Sequence, residues 1–237
     1  GPYKNLIGNF YPPSRIDILP FFVRTLPPVE LAGGLAEAAK IAFCRGPSAF
    51  NNYERLAAPV LSGDWQEQQL AELLHATLAV KQWFIEIDEF DQAERRLLNF
   101  GHTWGHALES ATSFAIPHGL AVAIGMMASI CYTQHQAISM NLWNHCLALL
   151  LPVLEPAQLA IFDSERFLKA FQADKKHSPG HYHLIVPTAS DPEGLGVQEI
   201  QCPANQNSSE AVLAAMQQAL TTLQRELAAS SSAQVAA

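Results

Sequence analysis

The sequence predicts a mainly α-helical domain with a few short strands at its edges. Three observations carry this. Apolar residues recur at helical spacing over most of the chain, alternation of the strand kind is confined to two short stretches, and no Gly-rich strand–turn–helix is present. The 237 residues suffice for one large or two small domains with a substantial core. Apolar residues make up 49% and charged ones 15%, as in an ordinary globular protein.

Residues 1–22, rich in Gly and Pro at their start, read as an extended segment. Within them Arg15-Ile16-Asp17-Ile18-Leu19 alternates as a short strand would. The helical part is expected over 23–228. Pro28 suits a first helical turn, and Val29, Leu31, Leu35, Ala39 and Phe43 then repeat at about 3.6 residues. Further helices are placed around 64–85, 96–113, 119–138, 142–150, 164–172 and 208–228. Between the last two, His181-Tyr182-His183-Leu184-Ile185-Val186 reads as one strand ended by Pro187. The tail 229–237, made of small and polar residues, is expected to be disordered.

Composition also excludes partners. A net charge of −8 gives no basic surface for nucleic acid, and no apolar run reaches the eighteen or so residues of a membrane span. Any anionic ligand must be held by a local cluster of cations. Cys44, Cys131, Cys146 and Cys202 form no C-x-x-C pair and read as reduced, buried thiols of a cytoplasmic protein.

The chemistry concentrates in Arg95-Arg96-Leu97-Leu98-Asn99-Phe100-Gly101-His102-Thr103-Trp104-Gly105-His106, followed by His118 between Pro117 and Gly119. On a helix His102 and His106 share a face, so geometry alone permits both to address one ion. Thr103 stands where a metalloprotease helix needs its glutamate base, which argues against a peptidase. Gly101, Gly105 and Gly119 cost helix stability, and a helix carries such residues where something must come close. Glu37 and Lys40 lie three apart on one helical face in an Ala- and Gly-rich setting. They are either an exposed ion pair or part of the same site.

Together, Lys4-Asn5-Leu6-Ile7-Gly8, Thr25-Leu26-Pro27, Gly34-Leu35-Ala36-Glu37-Ala38-Ala39-Lys40, Leu98-Asn99-Phe100-Gly101-His102-Thr103-Trp104-Gly105-His106, His118-Gly119 and Asp174-Lys175-Lys176 resemble the 3-dehydroquinate synthases. These belong to the wider sugar-phosphate cyclase family, and the resemblance runs from residue 3 to about residue 187. It implies the helical C-terminal domain of a two-domain α/β plus α fold. The metal ligands it implies are Glu37, His102 and His118, holding zinc or cobalt. His106 falls on the substrate side as a proton-transfer group, with Lys40 and Asn99 beside it in the catalytic set. Substrate-binding positions fall on Asn5, Lys81, Arg95 and one of Lys175 or Lys176, and Lys4 and Thr25 lie near NAD.

The implied reaction belongs to the shikimate pathway of aromatic amino acid biosynthesis. A seven-carbon sugar acid phosphate loses phosphate and closes to 3-dehydroquinate while NAD is transiently reduced. The resemblance further implies an N-terminal dinucleotide-binding domain, in cis or on a separate chain, and a full-length homodimer. Without that domain the chain is expected to be inactive and to bind NAD weakly. Leu120 stands where family members usually carry an acid, which would tune a ligand histidine from behind. Two rivals remain: a cyclase acting on a sugar phosphate without a carboxylate, such as sedoheptulose 7-phosphate, and a non-catalytic metal-binding remnant. Lys81 and Arg95, which suit a carboxylate, favour the acid substrate.

Overall fold

A computed structural model describes residues 11, 14–134, 139–189 and 194–235. Its organising element is α5 (His118–Thr133), in which every residue from Leu120 to Cys131 is buried. A helix apolar all round must be covered on every side. The covering is supplied by α1 (Pro28–Arg45), α4 (His102–Ala111), α6 (Met140–Leu150) and α9 (Gln206–Val235), with strand β1 (His181–Pro187) also against it. Outside this shell, α2 (Pro47–Leu61) packs on α1, and α3 (Glu67–Ile87) packs on both. The short α7 (Pro156–Ala160) lies on α9, and α8 (Ser164–Gln172) packs on α4 and α9. No helix among the described residues is long and apolar enough to cross a membrane. All four cysteines are free thiols, three of them buried.

Most expected elements are present, with informative differences. The expected helix over 96–113 is two pieces, a 3-10 turn at Glu94–Asn99 and α4. Gly101 between them has φ +74, and a Cβ there would meet the Met126 side chain at 2.7 Å. Asp88 fixes the turn by accepting backbone N–H bonds from Gln92, Ala93 and Arg95 at 3.0, 2.7 and 3.1 Å. Those bonds, Gln92's first among them, hold its carboxyl below the usual range. Residues 15–19 do not form the expected strand. Ile16, Ile18 and Leu19 are exposed, and the one sheet among the described residues pairs β1 only with β2 (Val197–Pro203), antiparallel. Alternation with no partner edge makes no ladder.

The chain around 20–25 instead makes a 3-10 turn. Neither α2 nor β2 stands out in the sequence. A Gly-Pro step opens α2 and Pro59 sits within it, while Val-Gln-Glu-Ile-Gln-Cys does not alternate cleanly. The tail expected to be disordered from 229 continues as helix to Val235. Alanines favour this, and Ser230 and Ser232 hydroxyls donate to the carbonyls of Glu226 and Ala228, both at 2.9 Å.

Helices α1, α2 and α6 are tied by one buried polar contact. The Tyr53 hydroxyl donates to the Leu35 carbonyl and accepts from His145 Nε2–H, each at 2.8 Å. Burial holds the His145 ring down to about 4, from an ordinary value of 6.5. Tyr53→Phe strands a buried carbonyl and a ring N–H, and should cost about 1–3 kcal/mol in denaturant unfolding. An unchanged midpoint would sink this reading. As pH falls through 6.5 the unfolded chain takes up the His145 proton first. The folded state therefore loses stability from there down to about 4, and this group adds no further loss below. His145→Gln should lose less stability between pH 7 and 5 than the unmodified chain does, and equal losses would count against it.

Candidate functional site

Three helices meet at glycines, and the meeting builds the site. Gly33 of α1 lies against Gly119 of α5 so closely that a Cβ on Gly119 would fall 2.4 Å from the Gly33 Cα. Gly105 of α4 and Gly125 of α5 make the second crossing, where a Cβ on Gly125 would fall 2.0 Å from the Gly101 carbonyl oxygen. Side chains near these crossings are thereby brought to one point. Glu37 and Lys40 come from α1, His102 and His106 from α4, and His118 opens α5. Each histidine offers one nitrogen, and these three atoms lie within 4.8 Å of one another.

Each Nδ1 has an acceptor behind it. His102 Nδ1 lies 3.3 Å from the Phe100 carbonyl, His118 Nδ1 lies 3.1 Å from Glu109 Oε2, and His106 Nδ1 lies 3.8 Å from Asp174 Oδ2. A carbonyl or carboxylate can only accept, so His102 and His118 each carry a proton on Nδ1. Their Nε2 atoms face Glu37 Oε1, at 3.4 and 3.6 Å. Burial, helped by the Lys40 charge, pushes His102 down to about 2, so its ring is neutral. Glu37 Oε2 accepts from Lys40 Nζ at 2.7 Å, but Oε1 is buried without a hydrogen-bond donor. A buried carboxylate oxygen with no donor, facing the lone pair of the neutral His102 ring, is unfavourable unless positive charge sits beside it. The donor set of two imidazoles and one carboxylate fits a divalent metal.

Beside the cluster, Arg96, Asn99, Thr103, Lys175, Lys176, His183 and Glu199 are among the residues lining a cavity of about 300 Å³. Lys176 and Asp174 connect the two, with Lys176 Nζ at 3.3 Å from Asp174 Oδ2. Burial acts to raise the Asp174 carboxyl, but the His106 ring and Lys176 outweigh it, holding it well below the ordinary range.

Of the residues expected from sequence, Glu37, Lys40, His102, His106 and His118 come together, and Asn99, Lys175 and Lys176 line the adjoining cavity. Three others stand apart from both groups. The Arg95 guanidinium donates to the Glu89 carbonyl at 2.7 Å, Lys81 lies exposed on α3, and the Thr25 hydroxyl donates to the Phe22 carbonyl at 2.9 Å. Lys4 and Asn5 lie outside the described residues. Sequence reading missed Glu109, whose signal was a lone acid seven residues after His102 on an apolar helix. It also missed Arg96, His183 and Glu199, which only the tertiary fold gathers. Leu120 is fully buried in the core, so the carboxylate behind His118 comes from Glu109 instead.

Comparison with known proteins identifies the family. The family model described as 3-dehydroquinate synthase C-terminal matches residues 34–177. The 3-dehydroquinate synthase of Dehalococcoides mccartyi is 34% identical over 191 residues, covering 78% of this chain and 52% of that protein. That of Sulfurovum sp. is 35% identical over 199 residues, covering 83% and 54%. The chain thus spans about half the length of the curated relatives it matches. Among solved structures, 2-deoxy-scyllo-inosose synthase complexed with carbaglucose-6-phosphate, NAD+ and Co2+ aligns with a TM-score of 0.65 at 20% identity. That alignment covers 91% of this chain and 59% of the other. The 2-epi-5-epi-valiolone synthase of Streptomyces hygroscopicus, with NAD+ and Zn2+ bound, aligns at 0.59 and 24% identity, covering 87% and 54%. At such identities the structural likeness speaks for the fold alone.

The glycine crossing can be tested directly. Gly119→Ala forces α1 from α5 and should destabilise by about 1–3 kcal/mol. Gly34→Ala meets nothing within 4 Å and should stabilise by about 0.5–1 kcal/mol. Equal melting temperatures for the two variants would show that the close approach is not required.

Proposed function

This chain belongs to the 3-dehydroquinate synthase C-terminal family, and from that premise we propose that it is the metal- and substrate-binding half of a 3-dehydroquinate synthase. The observation that carries the proposal is the donorless Glu37 Oε1 opposed to the His102 and His118 Nε2 atoms. Glu37, His102 and His118 would hold one zinc or cobalt ion, leaving a coordination position for substrate. Bound there, the ion would polarise a substrate carbonyl and hold its hydroxyls. NAD, held mainly by an N-terminal dinucleotide-binding domain, would accept and return a hydride.

The chain's own residues do the rest. Lys40, buried beside Glu37, fixes that carboxylate and adds a positive charge to the site. His106, its side chain 46% exposed and backed by the ionised Asp174, is the group best placed to move protons. Lys175 and Lys176 with Asn99 supply cationic and amide donors for an anionic substrate inside an acidic protein. The substrate proposed is a seven-carbon sugar acid phosphate, which eliminates phosphate and closes to a ring. Without the dinucleotide-binding domain the chain is expected to be catalytically silent, and the complete enzyme to be a cytoplasmic homodimer.

Metal analysis after dialysis tests the ligand set. One equivalent of zinc or cobalt should be retained by the unmodified chain and by His106→Ala. The double variant H102A/H118A should lose it. Glu109→Ala should weaken metal affinity about ten- to a hundredfold, since it frees the His118 ring to turn. Metal kept by the double variant would overturn the proposal, and metal lost by His106→Ala would make that histidine a ligand.

A further inference from the structure

A second constellation of polar groups is carried by the hairpin rather than by the helices. Ser178 Oγ lies 2.8 Å from His183 Nε2, and His183 Nδ1 lies 2.6 Å from Glu199 Oε1. A carboxylate only accepts, so in the neutral ring Nδ1 carries the proton and Nε2 accepts from the serine hydroxyl. A hydroxyl, a base and a carboxylate that orients the base thus follow one another, each within hydrogen-bond reach of the next. The fold builds this locally. His183 opposes Gln201 in the hairpin, which puts Glu199 at the diagonal position on the same face. Arg96 Nη2, from the 3-10 turn before α4, donates to Glu199 Oε1 at 2.7 Å and steadies that carboxylate. Ser178 opens a turn whose central residues are Pro179 and Gly180, the latter with φ +79. The Ser178 and His181 backbones close it with hydrogen bonds at 3.0 and 3.1 Å.

Ser178 is exposed and is not among the residues lining the cavity beside the histidines, so its hydroxyl is reached from solvent. The turn leaves the Gly180 N–H without a partner among the described residues, a backbone donor two residues from that hydroxyl. Such a donor suits the oxyanion that forms when a carbonyl is attacked. We propose that Ser178, His183 and Glu199 form a second, metal-independent site that hydrolyses small carboxylic esters through an acyl-Ser178 intermediate. Ser178 Oγ attacks the ester carbonyl carbon while its proton passes to His183 Nε2. The bond from that carbon to the alcohol oxygen breaks, and the departing oxygen takes the proton from His183. Water then attacks the acyl group, His183 takes its proton and returns it to Ser178 Oγ, and the acid leaves. One ester and one water thus give one alcohol and one acid. Ser178 and His183 are the catalytic residues, and Glu199 is a positioning residue that acts through His183. The open turn admits small, activated esters and offers no walls to select a long acyl chain.

The test is release of nitrophenolate from p-nitrophenyl acetate by the metal-stripped 237-residue chain, with mass spectrometry of the acid-quenched protein. Turnover should saturate, and the quenched chain should carry an acetyl group on the peptide containing Ser178. S178A, which removes one exposed hydroxyl, should lower kcat by about a hundredfold or more, and H183Q should do the same. The double variant S178A/H183Q should fall no further than either alone, because nucleophile and base act as a unit. E199Q should lower kcat about tenfold or more while KM changes by less than about twofold, a split that a merely loosened hairpin would not give. S178A keeps the test decisive if H183Q or E199Q loses the amide spectrum of the folded chain. Acetyl found on another side chain instead of Ser178, more than half the turnover left in S178A, or no saturable turnover would each overturn the inference. Because neither metal nor NAD is present, this result is independent of metal retention, on which the broader functional proposal stands or falls.

Discussion

The site depends on how closely three helices approach. Ordinary helix pairs keep 8–10 Å between axes because side chains intervene. Here the crossings of α5 with α1 and α4 have glycine on both sides, and backbone rests on backbone. The cost is borne by the helices themselves, about 1 kcal/mol per glycine relative to alanine. What is gained is geometry. His118 stands at the first residue of α5, immediately before Gly119, and Glu37 sits one turn after Gly33. Fixing the glycines fixes the distance between these side chains. His102 and His106 flank Gly105 in the same way.

That rigidity matters because the electrostatics at the centre are unresolved within the protein. Glu37 turns one oxygen to Lys40 and the other to the Nε2 atoms of His102 and His118. The acceptors behind His102 and His118 keep the ring protons on the far side, so neither ring can relieve the conflict by rotating its tautomer. Burial and Lys40 together keep His102 from relieving it by protonation. An arrangement of this kind is stable only if the scaffold holds it, and the scaffold here is the buried α5 with its shell of helices. The strain is local and the support is global, as expected of a functional centre.

How much was legible beforehand follows from the range of each interaction. Helix α8 was read to within its observed bounds because its signals are local, with Asp163 capping Glu165 and Arg166. Helix α4 was read too long, because the left-handed Gly101 that starts it, set tight against Val122 and Met126, is a feature of the tertiary packing. The histidine cluster was legible because its spacing, its glycines and its family resemblance pointed the same way. Glu109 was not, since its partner His118 lies across a loop containing Ser113 and Phe114 with positive φ, which periodicity cannot foresee. Lys81 and Arg95 show the opposite case. A motif transfers a residue's identity, but the fold decides where its side chain goes, and neither reaches the cluster or its cavity among the described residues.

The division between local and long-range signals also bears on how an acidic chain would accommodate the anionic substrate proposed for it. The overall charge of −8 opposes any anion at long range, but beyond about a Debye length that field is screened. What remains is the cavity wall, where Lys175 and Lys176 come from the turn after α8, Arg96 and Asn99 from the 3-10 turn before α4, and His183 and Glu199 from the hairpin. Three separate chain segments thus converge on one volume, each delivering donors of different geometry. The carboxylates in that wall, Asp91 and Glu199, offset part of its positive charge. Selectivity of this kind comes from the unfavourable contacts as much as from the favourable ones. The histidine cluster shows an unfavourable contact of its own, the donorless Glu37 Oε1 opposite the neutral His102 ring.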